Sequence, residues 1–152
     1  MLNFQSAETA NLRIANTGTA LGRGVFAQRA YGCGEVVEVA PVILLNEAFR
    51  ELPLLVQRVV FNWGKGIDST PIFALVLGYG SIYNHSDHPN LRYRADHSGQ
   101  TMIFTATRDI NHGEQLTVSY DQVAEGAPPR KESWFTRNHI EKLELDGLEA
   151  II

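Results

Sequence analysis

The sequence predicts a mostly β fold with a few short helices, built as one domain. Short runs of β-branched and aromatic residues recur along the chain and are separated by glycine-containing turns. Strands do not alternate with long helical segments, so a doubly wound parallel sheet is not expected. The length of 152 residues also fits a single domain.

The first part of the chain predicts three strands. Leu12 to Ala15 forms one apolar run, and Gly22-Arg23-Gly24 opens a second one, Val25 to Ala27. A glycine turn at 31–34 then precedes Glu35 to Leu45, which is rich in β-branched residues and predicts the third strand.

The middle of the chain predicts a helix followed by strands. Residues 46–61 carry leucines and valines at mixed spacing, which predicts a helix broken near Pro53. Pro71 to Leu77 predicts a buried strand. Leu91 to Arg94 and Met102 to Ala106 alternate on either side of a Ser-Gly turn and predict a hairpin.

The final segments predict one more strand, a linker and a tail. Leu116 to Tyr120 is the last expected strand, Ala124 to Lys131 is a polar linker, and Trp134 to Leu145 is a predicted helical tail. We therefore divide the chain into a core domain at residues 10–121 and a linker with tail at residues 122–152. The tail around Leu143 fits either packing on the domain or a contact between two copies, so a homodimer stays open.

Composition excludes several classes of protein. Cys33 is the only cysteine, so neither an intrachain disulfide nor a multi-cysteine zinc site can form, and we predict no zinc and no other metal. The net charge of −4 disfavours direct binding to nucleic acid and suits approach to a basic peptide. The N-terminus lacks a signal-peptide pattern, and no apolar run is long enough to cross a membrane. We expect an intracellular protein, in the cytoplasm, the nucleus or a host cell.

Three segments, in this order, carry a family resemblance. They are Gly22-Arg23-Gly24 with the apolar run after it, the segment Asn84-His85-Ser86-Asp87-His88-Pro89-Asn90, and the segment Gly113 to Tyr120. Together they resemble the G-x-G, N-H-S-x-x-P-N and G-E-x-L…Tyr motifs of SET-domain protein-lysine methyltransferases, and above all of compact stand-alone members such as the small viral histone methyltransferase. The resemblance implies a SET fold of several short-stranded sheets with a knot-like threading of the C-terminal segment.

The resemblance also implies an activity and roles for named residues. It implies transfer of a methyl group from S-adenosylmethionine, leaving S-adenosylhomocysteine, to the ε-amine of lysine in a histone or another basic protein. Tyr120 resembles the catalytic tyrosine. The cofactor-binding residues would be Gly22, Arg23, Gly24, Asn84, His85, Trp134 and Phe135. The substrate channel would be formed by Phe61, Tyr79, Tyr83 and Tyr120.

Two departures from the family pattern bear on these expectations. Asp87 stands where relatives with a zinc-binding tail have a cysteine, so an aromatic residue of the tail, Trp134 or Phe135, must close the cofactor site. Many relatives have a second tyrosine near the position aligned with Val59, and this chain has none there. Both departures keep an alternative open, in which the chain is a catalytically silent SET-like module that binds a peptide or a partner.

Each motif residue also has a purely structural interpretation. The glycines fit ordinary turns, His85 fits a hydrogen-bonded core histidine, and Tyr120 fits a packed strand residue. Trp134 fits either a helix anchor or an adenine-stacking ring. The pair His85 and His88 lacks the third and fourth ligands of a metal site.

Overall fold

The computed structural model describes residues 11–122 and 131–138. This part of the chain contains nine strands and two four-residue α-helices. The strands are β1 (Leu12–Asn16), β2 (Arg23–Ala27), β3 (Val36–Leu45), β4 (Val60–Lys65), β5 (Pro71–Val76), β6 (Asn84–His85), β7 (Leu91–Asp96), β8 (Thr101–Ala106) and β9 (Gln115–Val118). The helices are α1 (Leu54–Gln57) and α2 (Trp134–Arg137), and there are 3₁₀ turns at Phe49–Glu51 and Gly80–Ile82. The predicted mostly β class with few short helices is confirmed.

The strands form two sheets. A four-stranded sheet has the order β1-β2-β9-β6, and a five-stranded sheet has the order β4-β5-β3-β8-β7. All pairs are antiparallel except that of β6 with β9, which is parallel. The last strand is therefore inserted between an early strand and the short strand of the 84–90 motif. The knot-like threading implied by the resemblance involves residues 123–130, which lie outside the described residues.

A shared apolar core holds the sheets together. Strand side chains from both sheets are almost fully buried in it, among them Val25, Leu116 and Val118 from the first sheet and Leu91 and Phe104 from the second, each 0% exposed. Removing such an area from water is the main stabilising contribution in a fold of this size. The core fixes the two sheets relative to each other, and with them the segments that carry the motifs.

The helix predicted at residues 46–61 is wrong. This stretch contains only a 3₁₀ turn and the helix α1, and strand β4 already begins at Val60. Pro53 has no N–H group and precedes α1 as its N-cap residue, so no helix continues through it. Val59, Val60 and Phe61 are β-branched or aromatic, and Val60 and Phe61 pair with β5 instead.

The boundaries of the other predicted elements differ from the observed ones by a few residues. The predicted strands and the hairpin of β7 with β8 are present, but β9 ends at Val118 and Tyr120 lies in the turn that follows. Of the predicted helical tail, α2 accounts for Trp134–Arg137, and its N-cap Ser133 accepts hydrogen bonds from Phe135 N and Thr136 N. Residues 139–152, and most of the predicted linker, lie outside the described residues.

Candidate active site

The three motif segments converge where β9 lies between β2 and β6. Asn84 pairs with Thr117 and His85 with Val118 on one side of β9, while Val25 pairs with Leu116 on the other. Backbone pairing therefore brings together segments that are far apart in the sequence. We call the place where Gly24, Asn84 and Gln115 meet the strand junction.

The side chain of Asn84 is fixed at the strand junction. Its amide nitrogen Nδ2 donates to the carbonyl oxygen of Arg23 at 3.0 Å and to Oε1 of Gln115 at 2.9 Å. Both amide hydrogens are thereby used, whereas no hydrogen bond reaches Oδ1 in the described part of the chain. Asn84 thus presents an oriented acceptor.

Gly24 is a glycine because the strand junction leaves no room for a side chain. A Cβ atom at this position would lie 2.5 Å from Oε1 of Gln115 and 3.0 Å from Nδ2 of Asn84. The methyl group of an alanine would displace the amide pair that orients Asn84.

Gly22 differs from Gly24 in what its backbone requires. It has φ +74°, a conformation that side chains disfavour, and a Cβ there would meet open space. Arg23, between the two glycines, is exposed, and its guanidinium makes no hydrogen bond or ion pair within residues 11–122 and 131–138. Gly22 and Arg23 thus form an open edge beside the strand junction.

Asn90 is a buried residue whose side chain holds strand β9 in place through two hydrogen bonds. It is 2% exposed, donates from Nδ2 to the carbonyl of Gln115 at 2.8 Å, and accepts from the Thr117 N–H at 2.9 Å. The sequence alone allowed Asn90 to be read as an ordinary turn former. In the structure it satisfies two backbone groups of β9 and so holds the strand in register.

His85 is buried and links two segments. Its Nδ1 accepts the backbone N–H of Tyr120 at 3.0 Å, and its Nε2 lies 3.2 Å from Oδ1 of Asp87. Because Nδ1 is an acceptor, the proton of the neutral ring belongs on Nε2, where it is donated to the carboxylate. His85 therefore determines where the backbone of Tyr120 begins its turn.

Tyr120 is held at both its ends. Its hydroxyl donates to the carbonyl oxygen of Tyr83 at 2.9 Å, and its ring lies 5.3 Å from that of His85 and 4.7 Å from that of Trp134. Burial raises the pKa of Tyr120 to about 12, with a smaller contribution from Tyr93. The hydroxyl is therefore neutral at physiological pH.

The two aromatic residues of α2 form one cluster with Tyr120 and His85. The Phe135 ring lies 4.8 Å from His85, 6.0 Å from Tyr120 and 5.1 Å from Trp134. The Trp134 ring packs edge-on against Tyr120 and lines a neighbouring cavity, and its backbone N–H donates to Asp121 Oδ1. Trp134 therefore borders the cavity, whereas Phe135 packs against His85.

The cavity beside Tyr120 has a volume of about 280 Å³. We call it the aromatic cavity because seven rings from separate parts of the described chain line it. These rings are Phe49, Phe61, Phe73, Tyr83, Tyr93, Tyr120 and Trp134. None of the residues that form the strand junction lines it.

Three of the four residues predicted for the substrate channel line the aromatic cavity. These are Phe61, Tyr83 and Tyr120, whereas Tyr79 does not. The Tyr79 backbone N–H and the Tyr83 hydroxyl both donate to the carboxylate of Glu38, each at 2.9 Å.

Tyr93 is a lining residue that the sequence analysis missed. Its ring meets Phe61 edge-on at 4.9 Å, and its hydroxyl donates to the carbonyl of Ser119 at 3.4 Å. Its place three residues after Asn90, on the hairpin strand that follows the motif, was the available signal.

The described ranges hold neither a cluster of metal ligands nor a membrane-spanning helix. Residues 11–122 and 131–138 contain no group of three or more His, Cys, Asp or Glu side chains placed to bind a metal ion. Among the helices of the same ranges, none has the length and apolar character needed to traverse a bilayer.

The sequence pattern of the SET domain matches residues 22–121. A Schizosaccharomyces pombe protein named histone-lysine N-methyltransferase, H3 lysine-37 specific, is 28% identical over 102 residues, which is 65% of this chain and 66% of that protein. A Saccharomyces cerevisiae protein named potential protein lysine methyltransferase SET6 is 34% identical over 79 residues, which is 47% of this chain and 20% of that protein. The matched segment is thus just under two thirds of the first relative's own length and a fifth of the second's.

Solved structures share the fold. A histone methyltransferase candidate of Plasmodium falciparum has a TM-score of 0.56 and 24% identity, covering 74% of this chain and 95% of that chain. A chain of a Polycomb Repressive Complex 2 crystallised with S-adenosylmethionine has a TM-score of 0.55 and 20% identity, covering 72% of this chain and 15% of that chain. At such identities the likeness concerns the fold.

Proposed function

The chain belongs to the SET-domain family, and we propose that it transfers a methyl group from S-adenosylmethionine to the ε-amine of a lysine in a protein. The observation that carries this proposal is the position of Tyr120. Tyr120 lines the aromatic cavity with its hydroxyl bonded to the Tyr83 carbonyl, and its backbone N–H is bonded to His85, which follows Asn84 of the strand junction. In the proposed reaction, donor and acceptor reach the same hydroxyl from these two neighbouring regions.

The strand junction fits the amino-acid part of the cofactor. Oδ1 of Asn84 is an oriented acceptor for an ammonium group, and the exposed guanidinium of Arg23 suits a carboxylate. The open edge at Gly22 lets a ligand approach the backbone closely. Beside His85, Phe135 offers a ring face of the kind that stacks on adenine. When bound, S-adenosylmethionine supplies an electrophilic methyl group on a positively charged sulfur.

The aromatic cavity fits the side chain of lysine. Phe61, Tyr93 and Trp134 give it apolar walls along which the methylene chain can pack. An apolar surrounding disfavours the ammonium form, so it lowers the pKa of the lysine and increases the fraction of nucleophilic amine. Holding that amine in line with the donor supplies much of the rate enhancement by proximity.

Tyr120 acts by orientation and not as a base. With a pKa of about 12 its hydroxyl keeps its proton, which it donates to Tyr83, and its lone pairs stay free to accept. The carbonyl oxygens of Tyr83 and Ser119 add fixed partial negative charge nearby, which stabilises the positive charge shared by methyl group and amine.

Histone H3 is the first protein substrate to test, since the S. pombe relative is named for a lysine of that protein. The purified chain should be incubated with methyl-labelled S-adenosylmethionine and lysine-containing proteins, and the products examined by mass spectrometry. We expect a gain of one or more methyl groups on lysine.

A thermal-shift titration separates this enzyme from a silent binding module. A ligand present at 100 times its Kd stabilises the fold by about 2.7 kcal/mol, which is readily measured. A stabilisation by S-adenosylmethionine and by S-adenosylhomocysteine is expected. No response to either, combined with no labelled lysine, would contradict the proposed function.

A further inference from the structure

The rim of the aromatic cavity is basic, although the chain as a whole has a net charge of −4. Arg58 and Arg137 line the cavity, and among the described lining residues there is no Asp or Glu. An adjoining recess of about 460 Å³ shares Phe49, Gln57 and Arg137 with the cavity and adds Arg50. We call Arg50, Arg58 and Arg137, which surround these two openings, the arginine rim.

The three arginines come from separate elements that converge on the rim. Arg50 lies in the 3₁₀ turn before α1, Arg58 directly follows α1, and Arg137 ends α2. All three are exposed, and in the described ranges none makes a side-chain hydrogen bond or an ion pair. Glu132 is the one carboxylate among the described residues of the adjoining recess, so positive charge predominates.

We propose that the arginine rim selects lysines that are flanked by acidic residues in the substrate protein. The inference rests on the proposed function and narrows its substrate class. Three exposed guanidinium groups, without an ion pair to any described residue, repel a lysine surrounded by other basic residues. Aspartate or glutamate near the target lysine removes that repulsion and forms charge-assisted hydrogen bonds with the arginines.

The apolar cavity, and not the arginine rim, favours the reactive form of the substrate. An apolar surrounding lowers the pKa of the lysine and so favours the neutral amine beside Tyr120. Acidic flanking residues keep the peptide bound outside the cavity, where they neutralise the rim without entering the apolar channel. Recognition and reactivity are thus served by different parts of one opening.

The test uses three lysine peptides that differ only in their flanking residues, which are Asp and Glu, Ser and Gly, or Arg and Lys. We expect kcat/KM at low salt to be about tenfold higher for the acidic peptide than for the neutral one, and lower again for the basic one. The difference should lie in KM and should shrink as the salt concentration rises, because added ions screen exposed charges.

A charge-reversal variant checks where the preference comes from. The double variant Arg58→Glu, Arg137→Glu should lose the preference for the acidic peptide and favour the basic one. Arg13→Glu is the matched control, because Arg13 is an exposed arginine on β1 of the four-stranded sheet and is not part of the arginine rim. That control should keep the order of the three peptides.

The outcomes separate this inference from the proposed function. Methyl transfer to all three peptides at equal kcat/KM, or a preference that survives the double variant, would overturn the arginine-rim inference and leave the activity intact. A chain that methylates none of the peptides and no lysine of any protein tested would overturn the proposed function itself.

Discussion

The strand junction and the aromatic cavity are built by different means, although Tyr120 lines the cavity and bonds through its backbone to His85, the residue after Asn84. Backbone pairing and amide side chains hold the strand junction, where Asn84 and Asn90 bond to fixed groups on β2 and β9. Rings from separate elements, together with exposed arginines, form the aromatic cavity. A hydrogen-bonded junction tolerates little change, whereas a wall of side chains can be rebuilt residue by residue. We therefore expect the strand junction to accept few substitutions without loss of cofactor binding. Substitutions in the aromatic cavity should instead change which substrate is accepted.

The largest effect is expected where the two regions meet. Tyr120→Phe removes the hydroxyl that is fixed by Tyr83, and by analogy with the loss of other single transition-state donors it should reduce kcat by about a hundredfold or more. The affinity for S-adenosylmethionine, measured by thermal shift, should change little. Tyr31→Phe is the control, because Tyr31 is also buried and its hydroxyl bonds to the backbone of Asn11, while its ring packs under Arg29 and lines neither the cavity nor the strand junction. Equal turnover by the two variants would remove Tyr120 from the catalytic role.

A second substitution tests how rigid the strand junction is. Gly24→Ala places a methyl group against Gln115 and Asn84 and should lower the free energy of unfolding by about 1–3 kcal/mol, with weaker binding of S-adenosylmethionine. Gly32→Ala is the matched control, because a Cβ there meets nothing within 4 Å, so its effect should stay within about 0.5 kcal/mol. Urea unfolding measures both. If the two alanines were tolerated equally well, the strand junction would be more adaptable than its packing indicates.

The two neighbouring rings of helix α2 differ in their further contacts, because only Phe135 packs on His85 and only Trp134 lines the cavity. Phe135→Ala removes the ring beside His85 and should weaken cofactor binding, whereas Trp134→Ala removes a wall of the cavity and should raise KM for the peptide. Ring contacts contribute about 0.5–1.5 kcal/mol each, so changes of up to about tenfold are expected. Cofactor binding is followed by titration and KM by initial rates. Should Trp134→Ala impair cofactor binding instead, the predicted adenine-stacking role of Trp134 would be supported.

The smallest effect is expected at Glu38, whose carboxylate accepts a hydrogen bond from the hydroxyl of the cavity residue Tyr83. Burial raises the pKa of Glu38, although bonds from Tyr79 and Tyr83 oppose the shift. The folded state therefore holds this proton more tightly than the unfolded chain, and the stability it contributes at low pH is lost as pH rises through the raised pKa. Glu38→Gln should remove this part of the pH dependence, so the Tm difference between wild type and variant should change between pH 4 and pH 8. A difference that is constant over this range would contradict a raised pKa.

The strand junction could be predicted from the sequence because its residues occur in contiguous motifs. Asn84, His85 and Tyr120 were assigned together, and the structure pairs the first two with β9 and bonds the Tyr120 N–H to the His85 ring. The signal lies in three short motifs and in their order along the chain, because each motif places its glycine, amide or tyrosine within a few residues. Gln115 and Asn90 were missed as partners because their role depends on which carbonyl or amide faces them across the sheet.

The cavity could be predicted only in part. Its walls depend on how the rings of β4, β7 and α2 pack, and no short spacing in the sequence encodes that meeting. Tyr93 was missed for this reason, and the strand character of Val60 and Phe61 was obscured by leucines that suggested a helix. The arginine rim was hidden by the net negative charge, which averages over the whole chain.

The insertion of β9 between β2 and β6 also has a consequence for folding. The four-stranded sheet pairs residues about ninety positions apart, and such distant contacts form slowly because a long loop must close first. Until Gln115–Val118 is in place, β2 and β6 expose unpaired edges that can recruit strands from other chains. A nascent or truncated chain lacking this strand should therefore be prone to aggregation as well as inactive.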